Sequence, residues 1–567
     1  MDPATPMHES QRTHLALLRA QLDNIDSTKK TVESQVVELE AGDLDDSVDN
    51  LRLVSLKLAE AHAALRQVFG SLARPLLRPL KIHDLPDELL MDISGYLRNH
   101  ADIKNLRLSC RHLNETSSHL LMDTAYVSLN PKSLERLREV SHHASISRGI
   151  RRLVASVDVY NADFAHSVQS FAARCIKELD DLYENMPWDN PYRRDTFLLL
   201  HSWIAFTESF TDTYNDGAHL NEENVSALYN GWLRYHQLYH EQHVVLRHGR
   251  FPLAIAEAIG RMPSIEELVI RDRSRSSDDE HPRSPSTFRK LGTMVQNRTR
   301  LVEEMMLHAF SWQKARITRV ENPPTHLLYQ IPLAIHDAGH SVAHLRFDLT
   351  PPQSFQLQLS STQMYRLILF AQGLKSFKFS ARAEPANLWR PSRDAKEKEN
   401  LELFLAAFMK SMHLDFVALD FAFEERDCLA ANRTHDPNRT SIGPLLTNLR
   451  QPQNIHLKNC SLTLEELRTF VRLPRKVPAV LGLWYVYLLD GDWADAVELF
   501  RSEVLRGGLS QQSYVRIPYG AECLTMSTAE RERIFHYRRD RRPCKDSMVN
   551  CYIKGHDDGF VRNPLRG

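Results

Sequence analysis

The pattern apolar-x-x-apolar-x-apolar recurs from Ile265 onward in this 567-residue chain, and it constrains the fold more than any other feature. It stands at Ile265/Leu268/Ile270, Val342/Leu345/Phe347, Leu374/Phe377/Phe379 and Leu414/Val417/Leu419, and in part at Ile455/Leu457. The last two apolar positions of each copy flank a single residue, which is the period of a strand buried on one face. So short a strand cannot bury its apolar side alone, and recurrence predicts copies stacked on a shared core. The first apolar positions 342, 374 and 414 are 32 and 40 residues apart, so the expected α/β array is irregular and decorated with loops. Three segments, Arg271–Ser286, Ala383–Asn400 and Glu425–Ser441, are too polar to order themselves by burial and are expected to be those loops. An ordinary α/β domain whose buried strands share the spacing is the alternative.

The rest of the chain reads as helix-rich, giving an α+β class overall. Residues 10–70 carry two heptad stripes, Leu15, Leu18, Leu22, Ile25, Val32, Val36 and Leu39, then Leu51, Val54, Leu58, Ala61, Leu65 and Val68. Lys29 interrupts the first stripe, and an acidic break at Gly42–Asp46 separates the two. Such stripes form either an antiparallel helical hairpin or a dimeric coiled coil, the second of which makes the protein bivalent by self-association. After Pro75 and Pro79, residues 82–122 read as a helical pair. Pro86 suits a first helical position, and Asp87 and Glu88 follow in the turn where the helix dipole favours negative charge. Leu89, Leu90, Ile93 and Leu97 recur at helical spacing until Asn99-His100 breaks the run. Asp102 then suits a cap for a second helix carrying Ile103, Leu106, Cys110 and Leu113 on one face. Ala125–Leu129 and Ile150–Val154 are strand candidates, and a helix is expected from Pro131 to about His142. Residues 130–260 are otherwise mainly helical, 261–525 hold the repeats, and 526–567 form a tail.

Composition excludes several function classes. Lys and Arg number 71 against 72 Asp and Glu, so no basic excess marks a dedicated nucleic-acid binder. No apolar stretch is long enough to cross a bilayer, and MDPATPMHESQRTHL lacks the apolar core of a secretory leader. Seven scattered cysteines suit reduced thiols in the cytoplasm or nucleus. Cys544 and Cys551 are the closest pair, with no second pair to complete a zinc pattern. His336, His340 and His344 stand four residues apart beside Asp337, the spacing of a metal-binding helix face, but Gly339 disfavours a helix there. No phosphate loop, nucleophile elbow or dinucleotide fingerprint is present, so neither catalysis nor a cofactor or metal is expected. The arginine-rich segment Arg531–Arg542 suits an acidic partner, a nuclear-import signal or a solvated helix face. Ser276 and Ser277 precede three acids, a context that suits phosphorylation.

Residues 82–129 resemble an F-box. Leu85-Pro86-Asp87-Glu88-Leu89-Leu90, then Ile93, Leu97, and Leu106-Arg107-Leu108-Ser109-Cys110-Arg111 stand at that family's spacing, with His112-Leu113 where an aromatic residue is common. QNIHLKNCSLTLEELRTFV is similar to a leucine-rich repeat. Ile455, Leu457, Cys460 and Leu462 match the strand and turn, and Leu464, Leu467 and Phe470 the helix, with a further copy near Leu483 and Tyr485. An F-box followed by irregular repeats resembles the F-box proteins of filamentous fungi, and Leu489-Asp490-Gly491-Asp492-Trp493 and Arg562-Asn563-Pro564-Leu565 resemble their closing repeats.

That resemblance implies a non-catalytic substrate-receptor subunit of an SCF-type cullin–RING ubiquitin ligase. It assigns docking on the Skp adaptor to Leu85, Pro86, Leu89, Leu90, Ile93, Leu97, Leu106, Leu108 and Cys110, with the repeats holding a target protein. The other reading is a scaffold that joins partners outside ubiquitination.

Overall fold

A computed structural model describes residues 6–40, 45–73, 82–97, 99–208, 222–272, 294–307, 309–310, 312, 323–350, 352, 355–381, 395–421, 441–449, 452–474, 477–516, 518, 526, 528–535, 547–555 and 562–566. The chain divides into two compact units, Met1–Ser117 and Ser118–Gly567.

In the first unit, the two heptad stripes become helices α1 (Pro6–Glu40) and α2 (Asp45–Ala73), which pack on each other. His62 Nε2 lies 3.7 Å from Asp26 Oδ1, a pairing from one helix to the other. Three short helices follow: α3 (Asp87–Gly95), α4 (His100–Ser109) and α5 (Arg111–Ser117).

The second unit is built on a nine-stranded parallel sheet. Its strands are β1 (Thr124–Ser128), β2 (Arg152–Ser156), β3 (Glu267–Arg271), β4 (His344–Leu349), β5 (Ser376–Ala381), β6 (Phe416–Asp420), β7 (Asn454–Lys458), β9 (Val480–Trp484) and β11 (Tyr514–Arg516). They lie side by side in that chain order, while β8 (Ser461–Leu462) and β10 (Tyr487–Leu488) pair separately. The repeating pattern is the reason for this order. Leu268, Leu345, Phe377, Val417, Ile455 and Leu481 stand in register across β3 to β9, and so do Ile270, Phe347, Phe379, Leu419, Leu457 and Leu483. All twelve are buried. The last copy differs from expectation, because its buried pair is Leu481/Leu483. Tyr485 lies beyond the strand with φ of 56°, in the left-handed region.

Helices cover the apolar side of the sheet. They include α6 (Pro131–His142), as expected, α11 (Arg250–Arg261), α13 (Leu327–Asp337), α14 (Ser361–Ala371) and α15 (Ala395–Met409), whose successive members pack on one another. Phe408 of α15 stacks on Phe377 of β5 with centroids 5.0 Å apart. Because α15 begins at Ala395, the end of the expected loop 383–400 is helical. Its earlier part, like most of 271–286 and 425–441, lies outside the described residues. A second core sits in the long connection from β2 to β3. There α7 (Ala162–His166), α8 (Val168–Glu184), α9 (Arg193–Glu208) and α10 (Glu222–Arg247), joined by α12 (Arg298–Met306) from the next connection, bury Phe171, Cys175, Trp203, Tyr235 and Met306.

The array closes on five later helices among the described residues: α16 (Gly443–Leu446), α17 (Leu464–Val471), α18 (Trp493–Arg506), α19 (Thr528–Phe535) and α20 (Met548–Lys554). Thr463 and Glu466 form a reciprocal capping box that starts α17. The Asp490 carboxylate accepts from the Leu464 amide at 2.7 Å, and Asp492 caps α18. Gly491 has φ of 72°, and a Cβ there would stand 2.6 Å from Leu464 Cδ2, so this turn admits only glycine. The buried Asn563 side chain donates to the Ala494 carbonyl at 2.9 Å, which ties the tail segment to α18.

Candidate docking site

Of the nine residues assigned to adaptor docking, Leu89, Leu90, Ile93, Leu106 and Leu108 lie in the short helices of the first unit and Leu85, Pro86, Leu97 and Cys110 in the residues that flank them, and burial separates the nine into two sets. A 3-10 turn, Ile82–Asp84, leads into α3, and the Leu90 amide donates to the Pro86 carbonyl at 3.1 Å. Pro86 has φ of −57° and ψ of 151°, so it is the extended residue before the helix and not its first member. Asp87 and Glu88 occupy the first turn. The cap of α4 also stands three residues earlier than expected: the Asn99 side chain, not Asp102, accepts from the Ala101 amide at 3.0 Å. Asn99 is extended and its side-chain oxygen accepts from the amide two residues on, whereas Asp102 lies inside the helix where it complements the dipole.

The second helix of the sequence reading is two helices. Cys110 is extended, with φ of −162° and ψ of 164°, and breaks α4 from α5. Its Sγ then accepts from the Leu113 amide at 3.4 Å, capping α5 in the manner of a serine. Arg107 Nε donates to Asn114 Oδ1 at 2.9 Å across the joint, and His112 Nε2 lies 3.4 Å from Asp87 Oδ1, joining α5 to the start of α3.

Leu90, Ile103 and Leu113, one from each helix, are the buried apolar residues of this module, with Ser94 buried beside them. Leu85, Leu97, Leu106 and Cys110 are half-buried. The opposite stripe of α3 faces solvent: Leu89 is 48% exposed, Ile93 47% and Tyr96 85%. Those residues stand at i, i+4 and i+7, one continuous apolar face. Ile82, Met91 and Leu108 are exposed as well. Leu90, Leu85, Leu97, Leu106 and Cys110 therefore hold the module together, and Leu89, Ile93, Leu108 and Pro86 are presented outward. Ile82, Met91 and Tyr96 were not singled out by the sequence pattern, although Tyr96 lies seven residues after Leu89 and completes its stripe.

Other candidates do not converge. His336 lies in the last turn of α13, His340 in the turn after Gly339 (φ 75°), and His344 opens β4. Cys551 is buried in α20. Cys544, Ser276, Ser277 and most of the arginine cluster at 536–542 lie outside the described residues. Among the described residues no helix is long and apolar enough to cross a membrane. No protein-family model matches the chain, and no curated protein sequence matches it.

Proposed function

We propose that this chain is the substrate receptor of an SCF-type ubiquitin ligase, with α3–α5 acting as an F-box that docks on the Skp adaptor. The exposed stripe Leu89–Ile93–Tyr96 carries this reading. An apolar face left open on a helix that already has a packed opposite side is what a constitutive protein partner covers. The parallel strands in chain order support an irregular leucine-rich-repeat-like array as the target-holding part. In this reading the chain supplies proximity: target and conjugating enzyme are held together, which turns an intermolecular encounter into an effectively intramolecular one.

Co-purification of the intact chain with the Skp adaptor, against a Leu89→Asp/Ile93→Asp variant, tests the assignment. The intact chain should retain the adaptor and the variant should lose it while keeping its circular-dichroism spectrum. Failure of the intact chain to bind would remove the ligase reading and favour a scaffold role.

A further inference from the structure

We infer that the solvent-facing side of β5–β11 is a recognition surface for an acidic, extended segment of the target protein. This inference rests on the receptor reading above and names the chemistry of what the receptor holds. Alternation puts Lys378, Asp420, Lys458, Trp484, Tyr514 and Arg516 on the face opposite the apolar core. Three cations therefore share this face with one carboxylate. Asp420 is already engaged, lying 3.5 Å from Lys458 Nζ and accepting from Asn459 Nδ2 at 2.6 Å. Lys378 and Arg516 have no carboxylate partner among the described residues and lie against aromatic rings instead, Lys378 4.9 Å from Phe416, Arg516 5.5 Å from Trp484 and 5.0 Å from Tyr514. Two uncompensated positive charges thus remain at opposite ends of the patch, on a chain whose net charge is −1.

The patch is also built to stay in place. His456 and Tyr514 share a hydrogen bond at 3.1 Å over Gly482, where a Cβ would stand 2.6 Å from the Tyr514 ring and 2.7 Å from His456 Nδ1. The indole nitrogen of Trp484 is buried without an acceptor. Lys378 and Arg516 are four inter-strand steps apart, about 19 Å at ~4.8 Å each, which an extended segment of about six residues spans. Single-stranded nucleic acid is the less suitable occupant. It needs open ring faces for stacking, whereas Trp484 already carries Lys458 at 4.7 Å, Arg516, and the stacked ring of Tyr485.

The test is fluorescence anisotropy on the full chain, co-expressed with the adaptor and purified through a tag on the chain itself. Labelled peptides of about ten residues carry a Glu-rich core or the same core with Gln for Glu, and a single-stranded RNA oligomer is a third probe. The Glu peptide should bind, and the Gln peptide should bind at least roughly tenfold more weakly. Lys378→Glu/Arg516→Glu should remove binding of the Glu peptide with an unchanged thermal transition, while Arg247→Glu, an exposed change elsewhere, should not. Equal binding of the Gln peptide, an unaffected double variant, or tighter binding of RNA would each overturn the inference. Adaptor retention is scored in the same samples. Peptide binding without the adaptor would sink the ligase reading alone, and adaptor binding without peptide would sink this inference alone.

Discussion

The paired leucines of α3 allow a sharp test, because adjacent residues are assigned opposite roles. Leu90 is 1% exposed and packs within the module, so Leu90→Ala should destabilise that module by about 2–5 kcal/mol through lost transfer energy and a residual cavity. Leu89 and Ile93 are 48% and 47% exposed, so truncating both leaves no cavity and should change stability by less than about 1 kcal/mol. Each still has roughly half its side chain to bury in a partner, and fully burying such a residue contributes about 1.5–3 kcal/mol, or about 1 kcal/mol for half. Together that is about 2 kcal/mol, a roughly thirtyfold loss of adaptor affinity. The assay is titration calorimetry with the Skp adaptor, paired with urea denaturation of each variant. Leu89→Ala/Ile93→Ala should bind weakly and unfold normally, and Leu90→Ala should lose stability. Unchanged adaptor affinity in the double variant would refute the division of the two faces, and so would a large loss of its stability.

Three further outcomes are expected. Burial of the Asp158 carboxyl pushes its pKa from 3.8 to about 6, against the opposing pull of Ser156, its own backbone and Arg271. A group raised in the folded state contributes stability that is present below its unfolded pKa and lost as pH rises through about 6. Asp158→Asn should therefore gain up to about 3 kcal/mol over wild type between pH 4 and 7 in denaturant titrations, and a constant difference across that range would refute it. Phe408→Ala, which removes a fully buried ring stacked on Phe377, should cost about 3–5 kcal/mol of the second unit's stability by tryptophan-monitored unfolding, and a loss under about 1 kcal/mol would contradict the packing. Co-expression with the adaptor should raise the soluble yield of the intact chain by covering the α3 stripe, and the Leu89→Asp/Ile93→Asp variant should be soluble without it.

What the sequence made legible is what repeats, and what it hid is local phase. The apolar pairs at 268/270, 345/347, 377/379 and 417/419 were readable because their alternation is enforced by a shared core. One slip of register would turn every buried side chain outward, so these positions stand in register in the folded sheet. The shift from Leu483/Tyr485 to Leu481/Leu483 came from the left-handed Tyr485, a backbone state that pattern cannot display. In α3 the nine helical residues make only two and a half turns, so the Leu89–Ile93 and Leu90–Leu97 spacings fit a helix equally well. Only α5, returning from a break at Cys110, decides that Leu90 faces inward. That break was itself invisible to periodicity, since Ile103, Leu106, Cys110 and Leu113 keep the spacing of one continuous helix. The recognition surface on β5–β11 was hidden for a related reason. Lys378, Asp420, Lys458, Trp484 and Arg516 are far apart in sequence and occupy the polar positions that alternation leaves unspecified. Their convergence exists only once the buried positions have fixed the register, so the core that could be read places the surface that could not.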